Sequence, residues 1–350
     1  MNEQEKNDWM VCVRCYTYNH APYIEDALNG FAMQETDFPF VCTIVDDAST
    51  DGEQKVIKNY LNENFELEDK KVARHEETDD YVLFFSRHKT NKNCYFAVCL
   101  LKYNHYSIKK TKFPYIEEWD NNCKYIAICE GDDYWINPNK LQIQVDVLEQ
   151  HKECSICICG YVKKSKEKTS DLTITTKVGF SFDNNYHINN RLPIQPVTWL
   201  RRKSMMPTSG ELQKYKYVYD IVTLYLTLEK GNGYYIPDIC CVYRYTGKGV
   251  FSQLDKKAQV LHALKPRIEL CKFHPKDNFL KKRCAFFYSS YIFYSILNKQ
   301  TYFHIDRKVL GFRWLSYSYL RAYCKLIYSR INPSYKRANL INSSETDSNV

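Results

Sequence analysis

The sequence lacks an uncharged apolar stretch of about twenty residues, the length that an α-helix needs to cross a bilayer. The best candidate, 285–297, is too short and is interrupted by Ser and Tyr. Glu3, Glu5, Lys6 and Asp8 precede the first apolar run, so the start has neither the basic segment nor the apolar middle of a signal peptide. We therefore expect no membrane span and a location in the cytoplasm, either free or at the inner face of the membrane.

The sequence also lacks the cysteine pattern of a disulfide scaffold. Its 15 cysteines are an odd number, and most of them lie inside apolar runs. We expect them to be reduced, buried and small apolar side chains. A zinc site would need a second Cys or His cluster at a suitable spacing, and we predict none.

The formal charge of +8 has two interpretations, ordinary solvated lysines or attraction to phosphate-rich ligands and anionic lipid. Residues 256–337 are rich in Lys and Arg interleaved with aromatic side chains. Within them, 313–328 has roughly helical spacing and suits either an anionic membrane surface or a core-packed helix with a charged outer face. No recognised nucleic-acid module accompanies these residues, so we expect no nucleic-acid partner.

The first half of the chain alternates strand and helix signals, which predicts an α/β fold with a parallel sheet. Segment 63–122 has no sustained periodicity and is expected to be partly loop. Residues 163–177 predict an exposed loop or hairpin. Three helices are expected after residue 252, and no internal repeat is found. The predicted strands are 10–16, 40–45, 124–129 and 155–162, and the predicted helices of this half are 23–33, 54–62 and one starting near Pro138.

Two acidic clusters each follow a predicted strand: Asp46 with Asp47, and Asp132 with Asp133. Ligands of open α/β sheets bind beyond the carboxyl ends of the strands, so both clusters should face one crevice. Carboxylates there could hold Mg²⁺ or Mn²⁺ and leave positions open for phosphate oxygens. The alternative is structural, since either pair could simply cap the helix that follows it.

Three segments resemble family 2 glycosyltransferases of the GT-A fold, of the type that builds bacterial surface polysaccharide. They are Cys-Val-Arg-Cys-Tyr-Thr-Tyr-Asn at 12–19, Val-Asp-Asp-Ala-Ser-Thr-Asp-Gly at 45–52 and Cys-Glu-Gly-Asp-Asp-Tyr-Trp at 129–135. The resemblance is strong over about the first 160 residues and weaker to 252. It implies a Rossmann-like, nucleotide-sugar-binding α/β domain followed by a mainly helical C-terminal region.

The resemblance also implies roles for individual residues. Asp132 and Asp133 would hold the metal, although the usual first Asp of that motif is Glu130 here. Asp220 resembles the general base, with Tyr219 in place of the usual Gly or Glu. The loop that would close over the diphosphate carries Thr246 where relatives have His. Nucleotide contacts are expected from Thr17, Asn19, Asp46, Asp47 and Asp132, and phosphate or acceptor contacts from Trp135, Arg202, Arg244 and Lys248.

The predicted organisation is a GT-A domain at 1–252, with a nucleotide-binding half at about 8–162 and an acceptor half at about 163–252. A basic aromatic helical region at 253–340 and a disordered tail at 341–350 follow. The resemblance implies inverting, metal-assisted transfer from a nucleotide sugar, with a UDP-sugar favoured, to a saccharide or lipid-linked hydroxyl. The Gln-x-x-Arg-Trp signature of processive synthases is absent, so we expect one sugar per encounter.

Two other functions remain open from the sequence. A nucleotidyltransferase would also use an α/β sheet and a carboxylate-held metal, but the segment Thr17–Pro22 has none of the glycines of a phosphate loop. A non-catalytic, membrane-surface binding protein with the same fold is the other alternative. Tyr219 and Thr246, which depart from the family pattern, are the features that favour it.

Overall fold

The computed structural model describes residues 9–165, 169–172, 178–190, 192, 194–247, 249, 251–332 and 334. The expected disordered tail, 341–350, and Lys248 lie outside these residues. The chain forms two compact units. The sheet unit comprises Met1–Asp183, Leu192–Met206 and Thr227–Tyr245, and the helical unit comprises Asn184–Arg191, Pro207–Leu226 and Thr246–Val350.

The sheet unit contains a mixed twelve-stranded sheet in the order β10-β12-β8-β11-β6-β1-β2-β5-β4-β3, with β7 paired to β12 and β9 to β8. Strand β1 is parallel to both β2 and β6, and β2 is parallel to β5, so four strands form a parallel centre. The strands are β1 (Trp9–Thr17), β2 (Phe40–Asp46), β3 (Arg74–Glu77), β4 (Tyr81–Arg87), β5 (Cys94–Leu101), β6 (Cys123–Ile128), β7 (Tyr134–Trp135), β8 (Cys154–Ser165), β9 (Thr169–Leu172), β10 (Phe180–Phe182), β11 (Leu200–Arg202) and β12 (Asn232–Tyr245).

Helices cover the central strands because those strands are apolar on both faces. All seven residues of β2 are buried, as expected for a strand inside a parallel sheet. Its alternate side chains belong to two apolar clusters, one containing Phe40, Cys42 and Ile44 and the other Val41 and Val45. The helices of this unit are α1 (Ile24–Ala32), α2 (Glu53–Asn64), α3 (Glu117–Asn121) and α4 (Lys140–Gln150).

The segment that gave no clear sequence signal, 63–122, contains three strands. Strand β5 is inserted between β2 and β4, and β3 extends the sheet at one edge. The loop expected in this segment is confined to the residues between and beside these strands. Strands β8 and β9 pair antiparallel, so the predicted hairpin after residue 163 is present.

The helical unit has a separate apolar core that includes Leu264, Leu280, Tyr288 and Leu310. Gly311, with φ of 77°, interrupts the last helix. Three helices lie in the described residues after 252, as predicted. The helices are α5 (Asn184–Asn190), α6 (Ser209–Leu212), α7 (Asp220–Lys230, whose last residues belong to the sheet unit), α8 (Lys256–Phe273), α9 (Asn278–Leu297) and α10 (Arg307–Ile331).

The cysteines agree with the sequence expectation of reduced, buried side chains. All 15 cysteines are free, and 13 of them are buried. Burial raises the pKa of thiols such as Cys15 and Cys129, because a thiolate is poorly solvated in an apolar core. Within the described ranges, no helix combines the length and the apolar character that a bilayer span requires.

Candidate active site

The three acidic or polar motifs meet at one edge of the sheet. Thr17, the last residue of β1, is paired with Asp46, the last residue of β2. On the other side of β1, Arg14 is paired with Ile128 near the end of β6, so the loop after β6 starts beside the same strand. The parallel register therefore brings the ends of β1, β2 and β6 together, as the strand-end argument predicts.

Glu53 connects the first two of these loops. Its carboxylate accepts hydrogen bonds from the Thr17 hydroxyl, from the main-chain N–H of His20 at 2.8 Å and from the Ser49 hydroxyl at 2.8 Å. The side chain is fully buried, and burial raises its pKa, while the bonds from Thr17 and His20 oppose that shift. Glu53 is thus a positioning residue that fixes the loop after β1 against the loop after β2.

Gly131 brings the third loop against Thr17. A Cβ at position 131 would lie 2.1 Å from Thr17 Oγ1 and 2.6 Å from Thr17 Cβ, distances that side chains do not tolerate. The Gly131 N–H also donates to the Tyr16 carbonyl at 3.3 Å. Only glycine allows this close approach, which places the following Asp132 and Asp133 beside the end of β1.

Asp133 is the buried member of the acidic pair. Its side chain accepts a hydrogen bond from the Arg244 main-chain N–H at 2.8 Å. Burial raises its pKa well above the usual range, and the charges of Asp132 and Glu130 raise it further. Asp132 is more open, and its Oδ2 lies 3.8 Å from Nε2 of His20. The loop therefore concentrates negative charge that is only partly neutralised.

Arg244, at the end of β12, lies against this acidic loop. Its guanidinium donates to the Asp132 carbonyl at 3.1 Å and forms a close ion pair with Asp26 of α1. It also stacks 4.1 Å above the ring of Tyr134. The structure thus places Arg244 beside Asp132 and Asp133, as expected for a phosphate-side residue, but its present partners are protein groups.

Asp46 is completely buried at the end of β2. Its Oδ1 accepts from the Ser49 main-chain N–H at 3.1 Å and from the Gln54 amide at 2.5 Å. Its Oδ2 is buried with no hydrogen-bond partner among the described residues. Burial raises the pKa of this carboxyl, although the Ser49 and Gln54 contacts oppose the shift. The side chain shapes the loop after β2 rather than presenting a charge to solvent.

Asp47 is engaged by the segment after β5. Oδ1 accepts from the His105 main-chain N–H at 2.7 Å, and Oδ2 accepts from the Tyr106 N–H at 3.1 Å and from Lys112 Nζ at 3.0 Å. Asp47, which is expected to contact the nucleotide, therefore already accepts three hydrogen bonds from protein groups. A carboxylate offers about four acceptor positions. A ligand that contacts Asp47 would therefore use the remaining acceptor position or displace the segment after β5.

Asn19 occupies the exposed turn after β1 in the left-handed conformation, with φ of 55°, which Asn tolerates better than most residues. Its side-chain oxygen accepts from the Thr50 N–H at 2.8 Å, and its own N–H donates to Ser49 Oγ at 2.8 Å. Asn19 is thereby held at the site by the loop after β2.

Arg202 and Trp135 are buried in the protein, where their side chains do not contact a phosphate or an acceptor. Arg202 is buried and donates to the carbonyls of Cys154 and Leu148 and to the Tyr125 hydroxyl. Trp135 is buried in the core and donates from Nε1 to the Val197 carbonyl at 3.1 Å. Both side chains are fully used inside the protein, which corrects the sequence expectation, and we leave them out of the site.

The predicted base belongs to the helical unit, whereas the predicted diphosphate loop is divided, with Arg244 in the sheet unit and Thr246 in the helical unit. Asp220 is the exposed first residue of α7, and its carbonyl accepts from the Thr223 hydroxyl at 3.0 Å. Tyr219 before it stacks on His262 with ring centroids 4.1 Å apart. Thr246 is in the same unit, and Lys248 lies outside the described residues.

The acidic loop after β6 fits a divalent cation in its donor chemistry. Carboxylate oxygens are the ligands that Mg²⁺ and Mn²⁺ prefer, and repulsion between Asp132 and Asp133 contributes to the raised pKa of Asp133. Over the part of the chain that is described, no group of three or more His, Cys, Asp or Glu side chains forms a metal centre. One or two carboxylates suffice where substrate phosphates supply further ligands, so this pair is compatible with a metal that binds with its substrate.

Known proteins resemble this chain in one segment and in its fold. Residues 12–81 match the model of the family described as glycosyl transferase family 2. The match runs from β1 to the start of β4 and includes Thr17, Asn19, Asp46 and Asp47. The matched segment therefore contains two of the three motifs of the candidate site.

Two uncharacterised proteins, from Mycobacterium tuberculosis and Mycobacterium bovis, are each 34% identical over 141 residues, which is 40% of this chain. The aligned part spans only 32% of the length of those relatives. An N-terminal 349-residue fragment of Staphylococcus aureus TarS in complex with UDP-GlcNAc has the same fold, with a TM-score of 0.55 at 13% identity over 94% of this chain and 90% of that one. The fold is thus the GT-A glycosyltransferase fold with a helical C-terminal region.

Sequence reasoning missed three residues that organise the site: His20, Glu53 and Lys112. Glu53 resembles any acidic residue in the first turn of a helix, and nothing in its spacing indicates that it binds two loops. Lys112 lies in the segment without periodicity and reaches Asp47 only through the fold. For His20, the sequence offers one signal, which is its position as a polar residue between Asn19 and Pro22.

Proposed function

We propose that this protein transfers a single sugar from a nucleotide-sugar donor to an acceptor hydroxyl, with inversion at the anomeric carbon. The observation that carries the proposal is the meeting of the three motifs at the ends of β1, β2 and β6. Two of them lie in the segment that matches family 2 glycosyltransferases. This edge of a parallel sheet is where ligands of such folds bind.

The donor is proposed to be a UDP-sugar, bound by Thr17, Asn19, Asp47 and Asp132. Asp46, expected from the sequence to contact the nucleotide, is completely buried and supports the loop after β2 instead. The TarS fragment that shares this fold binds UDP-GlcNAc, which supports a nucleoside diphosphate sugar as the ligand class. Asn19 is exposed in the turn after β1, where it is accessible to such a ligand. Direct contact between the base and Asp47 would draw on its remaining acceptor capacity.

Asp132 and Asp133 are proposed to hold Mg²⁺ or Mn²⁺, which would neutralise charge on the departing diphosphate when bound. Asp133 is kept in place by the Arg244 main-chain N–H, and Gly131 keeps the loop against Thr17. The residues of the chain thus preset the position of both carboxylates. Such preorganisation lowers the cost of placing the donor for reaction.

Asp220 is proposed as the general base, following the resemblance stated above. It would take the proton of the acceptor hydroxyl as that oxygen forms a bond to the anomeric carbon. The bond from that carbon to the diphosphate oxygen breaks in the same step, and the electron pair leaves with the nucleoside diphosphate. Arg244 and Lys248 are proposed to face the diphosphate, which for Arg244 requires an exchange of its present partners.

The acceptor is proposed to be a saccharide or lipid-linked hydroxyl used in cell-surface polysaccharide synthesis, at the inner face of the membrane. Support comes from α10, which exposes apolar side chains between its cations. Phe312, Leu320, Tyr323 and Ile331 are each more than 60% exposed. An amphipathic basic helix of this kind suits the surface of an anionic membrane.

The test is calorimetric titration of the full chain with UDP, GDP and UDP-GlcNAc, with and without Mn²⁺. Asp132→Ala/Asp133→Ala should abolish the metal-dependent part of the binding, whereas Asp238→Ala on the exposed part of β12 should leave it unchanged. Failure of the folded wild type to bind any nucleotide would overturn the donor-site proposal. It would favour the non-catalytic alternative, which the engagement of Asp47 and Arg244 by protein groups also supports.

A further inference from the structure

Helices α9 and α10 carry a large excess of positive charge. Helices α9 and α10 together contain nine Lys or Arg residues and no Asp or Glu. Helix α8, which packs on α9, has one acidic residue, Glu269, and it accepts from the main-chain N–H groups of Lys216 and Tyr217. Asp277, before α9, accepts from the Leu280 N–H and the Tyr225 hydroxyl. These carboxylates are therefore committed elsewhere.

Cations are crowded between α9 and α10. Arg321 donates to Ser289 Oγ at 2.6 Å, and Lys325 donates to Ser290 Oγ at 3.1 Å. Arg321 also lies 4.0 Å over the ring of Phe286. Burial and the charge of Arg321 lower the pKa of Lys325 to about 8. Neighbouring cations that share only hydroxyl and aromatic partners are destabilised by each other, and an anion would relieve that repulsion.

The same crowding continues towards the start of α9. Arg267 of α8 donates to the Ala263 carbonyl at 2.5 Å and has no carboxylate partner among the described residues. Burial and the charge of Arg283 lower its pKa to about 10. Burial and the charges of both arginines also lower the pKa of His187 to about 4, and its buried Nδ1 meets no hydrogen-bond partner in the described part of the chain. Among the described residues, Arg267 therefore has a carbonyl acceptor but no counter-ion, and His187 Nδ1 has no hydrogen-bond partner.

A cavity of about 90 Å³ opens at this place. One water molecule needs about 10 to 15 Å³ of such cavity volume, so the cavity could hold several. It is therefore large enough for a phosphate group. Its walls combine cations, hydrogen-bond donors and aromatic rings: Asn189, Phe279, Lys282, Arg283, Phe286 and Tyr317. Phe286, one wall of the cavity, also lies under the Arg321 guanidinium, so Arg321 is a neighbour of the cavity wall.

We propose that the groove between α9 and α10, from the cavity at Lys282 and Arg283 to Arg321 and Lys325, binds a phosphate-bearing ligand. Guanidinium and ammonium groups recognise phosphate oxygens, and Arg does so with paired donors. The aromatic walls would contact an apolar or sugar portion attached to that phosphate. The phosphate comes either from a lipid headgroup or from a soluble phosphorylated molecule. This site is independent of the proposed transferase reaction.

The experiment measures binding of the full chain to inorganic phosphate and hexyl phosphate by calorimetry, and to phosphatidylglycerol or phosphatidylcholine vesicles by sedimentation. Lys282→Gln/Lys325→Gln should weaken binding by about tenfold or more, because two of the charges that meet the phosphate are lost. Arg321→Lys, which keeps the positive charge, should retain most of the binding affinity. The matched control, Lys256→Gln/Lys272→Gln on α8, changes net charge equally at exposed positions.

The outcomes distinguish the two sources of the phosphate and test whether the groove binds it. Binding of the soluble phosphates assigns a soluble ligand, and binding of phosphatidylglycerol vesicles alone assigns a headgroup. In either case only the groove variant should lose affinity, and melting curves should show that it remains folded. The proposal is overturned if no phosphate probe binds, or if the α8 control loses as much affinity as the groove variant.

Discussion

The main-chain N–H of Arg244 donates to the Asp133 carboxylate over 2.8 Å, which ties the end of β12 to the acidic loop after β6. The two residues are far apart in sequence, and the Arg244 guanidinium reinforces the link through the Asp132 carbonyl and Asp26. The proposed metal carboxylates thus depend on a residue from the end of the sheet unit.

Arg244→Ala should weaken Mn²⁺-dependent UDP binding about tenfold, because hydrogen bonds made by a charged group typically contribute about 1.5 to 3 kcal/mol. The main-chain bond to Asp133 remains, so binding should not be abolished. Calorimetry measures the change. Asp26→Asn is the control: its carboxylate is 53% exposed, and such ion pairs contribute at most about 1 kcal/mol. Equal losses in both variants would contradict a role for the Asp132 contact.

Gly131→Ala should destabilise the protein by about 1 to 3 kcal/mol and reduce nucleotide binding, because the new Cβ would overlap Thr17. Urea denaturation and calorimetry give the two quantities. Gly210→Ala is the matched control, since a Cβ at Gly210 meets nothing within 4 Å. If Gly131→Ala behaves like the control, the loop does not depend on this close approach.

Asp46→Asn should change the pH dependence of stability. The folded-state pKa of Asp46 is raised, so its contribution to stability is fully present below the unfolded pKa and is lost as pH rises through the folded pKa. Asn does not titrate. The stability of the variant relative to wild type should therefore increase as pH rises above the ordinary Asp pKa of about 4, as measured by urea denaturation. If the variant instead loses stability relative to wild type as pH rises, the pKa of Asp46 is not raised in the folded state.

Arg202→Met should lower the free energy of unfolding by about 2 to 4 kcal/mol, because buried acceptors of a charged donor lose their partner. Nucleotide affinity should be unchanged below the melting transition, since the side chain lies in the core. Arg74→Met, which removes an exposed ion pair with Glu118, should cost less than about 1 kcal/mol. A large loss of nucleotide affinity in Arg202→Met would return Arg202 to the binding site.

Asp220→Asn should reduce kcat by about 10² to 10⁴ while leaving the Kd for UDP unchanged, because a general base acts on the acceptor and not on donor binding. Transfer from labelled UDP-sugar measures the rate. Asp238→Asn, at an exposed position of β12, should leave both quantities unchanged. Unaltered turnover in Asp220→Asn would exclude this residue as the base.

The sequence determined the fold class and the edge at which the candidate site forms. Alternating strand and helix signals in the first sixty residues predict β1, α1, β2 and α2, and the acidic clusters follow apolar runs. These features are local, because periodicity and turn composition act over a few residues. They place Asp46, Asp47, Asp132 and Asp133 at the ends of predicted strands.

Only the tertiary structure decided which of these groups are accessible and what holds them. Strand β5 enters the sheet between β2 and β4, and the segment after it brings His105, Tyr106 and Lys112 onto Asp47. Glu53 joins two loops, and Arg202 faces core carbonyls rather than a cleft. Such partners come from distant parts of the chain, so their identity depends on strand register and on the desolvation of each charge, which local patterns do not encode.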